Sequence, residues 1–145
     1  MIDNIKLKGR FTGTLIRENG DVEVFTKDNL VVKAGIDFVF NTVFGSNSGH
    51  MNYIAVGTGT TAVADTQTAL TTELSRAIGT YAHTASTLVA TLSTTFNAGT
   101  ATGAITEAGI FSASSAGTMF DRVVFPVVNK GANDTYTATF EITYS

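Results

Sequence analysis

Few residues in this chain have the type and spacing that chemistry requires. Gly57-Thr58-Gly59-Thr60-Thr61 has the composition of a phosphate-cradling loop. A P-loop, however, ends in Gly-Lys-Ser/Thr and opens a helix, and no lysine stands near this run. A dinucleotide fold requires a third glycine and a following helix inside a βαβ unit. The run is therefore read as a tightly turned loop. A hydrolase elbow needs serine at the centre of Gly-x-Ser-x-Gly, and Gly45-Ser46-Asn47-Ser48-Gly49 puts Asn47 there. The two histidines, His50 and His83, lie far apart, without the close spacing that holds a metal. Asp3, Asp21 and Glu23 sit beside turn residues, and nothing in their spacing selects a pair for acid–base work. Asn133-Asp134-Thr135 matches a glycosylation triplet and is read as a turn. The absence of cysteine removes disulfides, thiolate zinc sites and a thiol nucleophile together. No catalytic residue, metal ligand or cofactor site is assigned, and the expected class is non-enzymatic.

Four charged residues stand out because their neighbours are apolar or threonine. They are Glu73 and Arg76 in Leu70-Thr71-Thr72-Glu73-Leu74-Ser75-Arg76, Glu107 in Ile105-Thr106-Glu107-Ala108, and Arg122 in Phe120-Asp121-Arg122-Val123. A charge inside a strand core is costly unless it is paired. The four are expected to form ion pairs, within the subunit or across a boundary between subunits. The competing reading is a strand that turns its charged side chains to solvent.

The elements that would position these residues are mostly strands. Phe11–Arg17 and Val22–Thr26 flank Glu18-Asn19-Gly20-Asp21, a hairpin signal because Asn and Gly tolerate the positive φ of a type I′ turn. Val32, Ile36, Val39 or Phe40, and Val43 recur at helical spacing, which predicts one helix over 31–44. Asp28 or Asn29 is its expected cap, Gly45 its expected stop, and Gly35 weakens it by about 1 kcal/mol relative to Ala. Further strands are expected at Tyr53–Val56, Ser86–Phe96, Ile105–Phe111, Met119–Phe125 and Thr135–Tyr144. In the last, Tyr136, Ala138, Phe140, Ile142 and Tyr144 alternate with Thr137, Thr139, Glu141 and Thr143, the period of a half-buried antiparallel strand. Short strands between turn signals predict an all-β antiparallel sandwich or barrel with a single helix. One domain is expected over 1–145, with an N-terminal hairpin or arm over 1–27.

Charged residues make up 14% of the 145 residues, against about 25% in an ordinary soluble domain. Thr, Ser, Ala, Asn and Gly take their place at the surface. Such a surface suits a protein packed in an array better than a lone monomer that relies on mixed charge for separation. A net charge of −3 speaks against a basic surface that binds nucleic acid. No apolar run reaches signal-peptide or membrane-spanning length. The expectation is synthesis in the cytoplasm and no membrane partner.

Tyr53–Thr61, Thr68-Ala69-Leu70 with Glu73 and Arg76, Ile105–Phe111, and Gly117-Thr118-Met119-Phe120-Asp121-Arg122 follow one another in an order that resembles small virion proteins of tailed bacteriophages. Some of these are tail-fibre-like, others capsid decoration or cement proteins. The resemblance covers roughly 52–144 and follows the 1–51 region more loosely. It implies a place in the virion, the major capsid protein of the same particle as partner, and a homo-oligomer, a trimer ahead of a dimer. A fibre carries a long body or repeat, and this chain has neither. An acidic protein also fits the outside of a shell better than a lumen facing DNA. The expected function is capsid decoration that stabilises the shell. A tail component (fibre, tip or baseplate-associated) is the alternative, and a carbohydrate-binding β-sandwich is a third reading.

Overall fold

The computed structural model describes residues 6–145. The first five residues of the arm expected over 1–27 lie outside them. The elements in chain order are β1 Leu7–Ile16, β2 Val22–Val31, α1 Lys33–Val43, β3 Tyr53–Gly57, β4 Glu73–Ile78, β5 Thr80–His83, β6 Val89–Phe96, β7 Gly103–Phe111, β8 Met119–Lys130 and β9 Thr135–Tyr144. The nine strands form one antiparallel sheet in the order β4-β3-β7-β8-β2-β1-β9-β6-β5. The two strands at its ends, β4 and β5, are consecutive in the chain and separated only by Gly79. At that corner the Gly79 N–H donates to Asn52 O (2.7 Å) and the Thr94 hydroxyl donates to Ile78 O (2.9 Å). The sheet thereby curls into a nearly closed barrel, which hides most strand edges. This is the all-β class with one helix that the strand periodicity predicts.

The barrel interior holds the core. Phe11 of β1 stacks on Phe125 of β8 with centroids 5.2 Å apart, and Phe25 and Phe140 tilt against this pair. Leu15, Ile54, Val56, Leu92, Phe96 and Tyr136 extend the same cluster. On β9 the expected alternation holds through Tyr136, Ala138 and Phe140, which are buried, and fades at Tyr144, which is half-exposed at the barrel end.

Several boundaries differ from those expected. β2 continues to Val31, so Asp28 and Asn29 are strand residues opposite Arg10 and Gly9 rather than helix caps. Val32, in extended conformation (φ −91°, ψ 162°), occupies the cap position, and its N–H donates to Phe120 O (3.0 Å). The apolar pair Val31-Val32 matches a helix period locally, but a hydrogen-bonded neighbour strand outweighs so short a signal. The hairpin turn is a longer loop than type I′. Gly20 N–H donates to Arg17 O, Arg17 N–H donates to Asp21 O, and of Asn19 and Gly20 only Gly20 has positive φ (93°). That is a type I turn followed by a left-handed glycine, the usual three-residue solution. β6 starts at Val89, because Thr84–Thr87 turns, with Thr87 N–H donating to Thr84 O (3.1 Å). β8 runs through Pro126 to Lys130, and β4 and β5 are strands that the periodicity does not single out.

Candidate functional site

Glu107 of β7 and Arg122 of β8 meet inside the protein with both side chains fully buried. Arg122 donates to Glu107 Oε2 from Nε (3.0 Å) and Nη2 (2.7 Å). The carboxylate also accepts backbone N–H groups from Gly59 (3.1 Å), Thr71 (3.0 Å) and Thr72 (2.8 Å). Arg122 uses its remaining N–H groups on Thr61 O, Gln67 Oε1 and Thr71 Oγ1. Both partners of the pair thus also grip residues of 58–72, the long connection from β3 to β4. The hydroxyl of Thr106 adds a bond to Gly59 O (2.7 Å). Burial alone would raise the Glu107 carboxyl. The Thr72 N–H, the Arg122 guanidinium and the Thr71 N–H outweigh it and hold the group below its ordinary value.

This geometry explains the glycine–threonine run. Gly57 lies directly opposite Glu107 across the β3–β7 ladder. A Cβ on Gly57 would come 2.5 Å from Glu107 Oε1, and one on Gly59 would come 2.4 Å from Thr71 Cβ. The glycines are there because the loop backbone must approach the carboxylate closely. The run cradles an anion, but that anion is a side chain of the same protein.

Glu73 and Arg76, both on β4, form the second pair (2.6 Å), with the Glu73 side chain 36% exposed and the Arg76 side chain largely buried. Arg76 does further work. Its guanidinium lies 3.9 Å from the centroid of the Phe111 ring, and its Nη1 donates to Ala113 O and Ala116 O, tying down the β7–β8 loop. The four residues singled out in the sequence thus make two local pairs rather than one cluster. Both pairs order a loop on the same half of the sheet.

Sequence reasoning passed over Asp121, which is fully buried beside Arg122 in the chain but faces the other way. Its Oδ1 accepts the Ile110 N–H (3.0 Å), and Asn29 Nδ2 donates to its Oδ2. Burial pushes this carboxyl well above the usual range, and the two hydrogen bonds offset only part of the shift. Asn29 Oδ1, next to it, is buried without a partner among the described residues. The signal in the sequence was a charge between Phe120 and Arg122 on a strand whose two faces are both covered. Gln67 carried no signal, since its role depends wholly on where the loop folds back.

A third feature is apolar. At one end of the barrel, α1 leans over β5, β6 and β9 and leaves a groove of about 300 Å³ lined by Phe38, Val43, Met51, Tyr81, Leu92 and Ile142. Tyr81 on its rim is 67% exposed. On the helix alongside, Phe40 and Phe44 (rings 6.4 Å apart) are 57% and 81% exposed. Side chains of this size rarely collect at a solvent-facing surface without a partner. No protein family, curated protein or solved structure matches this chain.

Proposed function

We propose that this chain is a decoration protein of a tailed-bacteriophage capsid, which binds the outer face of the head and stabilises the shell through contacts with the major capsid protein. The observations that carry the reading are apolar: the groove under α1 with Tyr81 on its rim, and the exposed Phe40 and Phe44 on the same helix. The charge-poor composition supports it, since 14% charged residues leave a surface suited to packing rather than to standing alone. The internal ion pairs support it too. Glu107, Arg122, Glu73 and Arg76 spend their charge on fixing loops, which suits a rigid block that adds binding energy to a lattice by mass action. The ordered resemblance of 52–144 to phage virion proteins supplies the particle.

The test is addition of the purified protein to particles that lack it. Binding to heads, saturation at a fixed number of copies and raised resistance to heat are the expected result. The variant Phe44→Ser alters a side chain that is 81% exposed, so its thermal unfolding should stay within about 0.5 kcal/mol of the parent, while its binding to heads falls. Binding confined to tails would replace this reading with that of a tail component, and no binding to either would end both.

A further inference from the structure

We propose that the free edge of β2 pairs with the same edge of a second copy, antiparallel and two-fold about Phe25. Between Leu30 and Val31 on β2 and Arg122 and Asp121 on β8 there are two register pairs, and among the described residues these are all the ladder pairing between β2 and β8. Among the described residues, β2 is paired from Val22 to Asn29 on its β1 side only. Beside that stretch β8 diverges, and an open cavity of about 610 Å³ lies between Glu23–Lys27 and Pro126–Asn129. Pro126 lies at the irregularity of the β7–β8 ladder and has no N–H to offer to β2. The β2 edge therefore presents unpaired backbone donors and acceptors over some seven residues, and only another extended backbone satisfies such a row.

The side chains select which backbone. Antiparallel pairing about Phe25 sets Glu23 opposite Lys27 of the second copy and Lys27 opposite Glu23, once at each end of the two-fold. Val24 falls opposite Thr26, a pair of β-branched residues suited to adjacent strands. Opposite charges directly across a ladder attract, and like charges there repel. Glu23 already takes Arg17 from the β1 side (3.1 Å), so the lysine of the second copy would complete its other flank. Among the described residues Lys27 has no carboxylate within ion-pair distance of its own. The apolar side chains of Val22 and Val24, 58% and 62% exposed, lie on the outer face of the same stretch and are partly covered by the pairing. The strand bears neither proline nor bulge against association. Of its three charges, Asp28 is taken by Arg10 on the β1 side (3.7 Å), and the other two, Glu23 and Lys27, become complementary on self-pairing. The contact is isologous and closes at two copies, whereas the phage resemblance implies a trimer ahead of a dimer. It does not rest on the capsid reading, since such an edge pairs in solution as well as on a particle.

Sedimentation equilibrium on the full chain is the test. The parent protein is expected as a dimer that dissociates on dilution. Lys27→Glu places like charges across both ends of the ladder and should weaken the dimer by about tenfold or more. The double exchange Glu23→Lys with Lys27→Glu restores the complement across the ladder but sets a lysine beside Arg17. It should therefore recover the dimer relative to Lys27→Glu while falling short of the parent, with circular dichroism confirming that each variant is folded. Amide hydrogen exchange of the parent supplies a readout free of substitutions: protection over 22–28 should rise with protein concentration while protection in β9 stays constant. A monomer at every concentration, a trimer, or a dimer indifferent to Lys27→Glu would overturn the proposal. None of those outcomes touches binding to heads, so the two proposals fail separately.

Discussion

Glu107 and Glu73 carry the same carboxylate into opposite surroundings, and their cost of removal differs accordingly. Glu107 is sealed beside Arg122 and accepts three backbone N–H groups. Glu107→Ala or Arg122→Ala leaves a buried charge without its partner and should cost about 3–5 kcal/mol in thermal or denaturant unfolding. Glu73→Ala removes a partly exposed partner from an Arg76 that keeps its bonds to Ala113 O and Ala116 O, and should cost less, about 1–2 kcal/mol. Equal effects at the two sites would contradict the burial difference. Asp121 shows the reverse electrostatics. Its folded-state pKa is raised, so the fold binds a proton that the unfolded chain gives up. The stability this proton confers is complete below the unfolded value of about 3.9 and declines as pH rises towards the folded value. Asp121→Asn removes that decline: its Oδ1 still accepts from Ile110 N–H, and with the Asn29 amide turned over its Nδ2 donates to Asn29 Oδ1. The variant should equal or exceed the parent in stability at pH 7 and lose that advantage near pH 4. Glu107, held low, acts in the opposite sense, contributing stability above its unfolded value that is lost as pH falls through its lowered folded one.

At the scale of elements, Gly35 shows how packing overrides propensity. In an isolated helix Ala in its place would gain about 1 kcal/mol. Here a Cβ at position 35 would lie 2.4 Å from Phe120 O and 2.7 Å from Phe120 Cα, because α1 packs directly on the β8 backbone. Gly35→Ala should therefore destabilise the protein, by about 1–3 kcal/mol as the helix is forced off the sheet. A gain in melting temperature would show that α1 moves freely over β8. The glycine that weakens the helix as a sequence pattern is what lets the helix reach its place. The Gly57–Gly59 run has the same origin, with a carboxylate in place of a strand. In both cases the sequence displays the glycine but not its neighbour, which comes from 48 to 50 residues away in one case and 85 in the other.

For the whole molecule, what could be read from the sequence was local and periodic. Alternation along Thr135–Tyr144, the apolar run Ile105–Phe111 and the Asn19-Gly20 turn signal identify strands, because the faces of a strand sort their side chains within a few residues. The all-β class and the single helix follow from summing such segments, and the four charged residues could be marked as needing partners from the cost of burial alone. Tertiary structure decided the rest. That Glu107 pairs with Arg122 and Glu73 with Arg76, and that among the described residues Asp121 meets no cation and β2 keeps a free edge, all depend on which strands become neighbours. Neighbours in this sheet lie as far apart in the chain as β1 and β9, or β2 and β8. Such pairings are set by the combined packing of the barrel, in which each strand is placed by the side chains of all the others, and no window of sequence contains that sum.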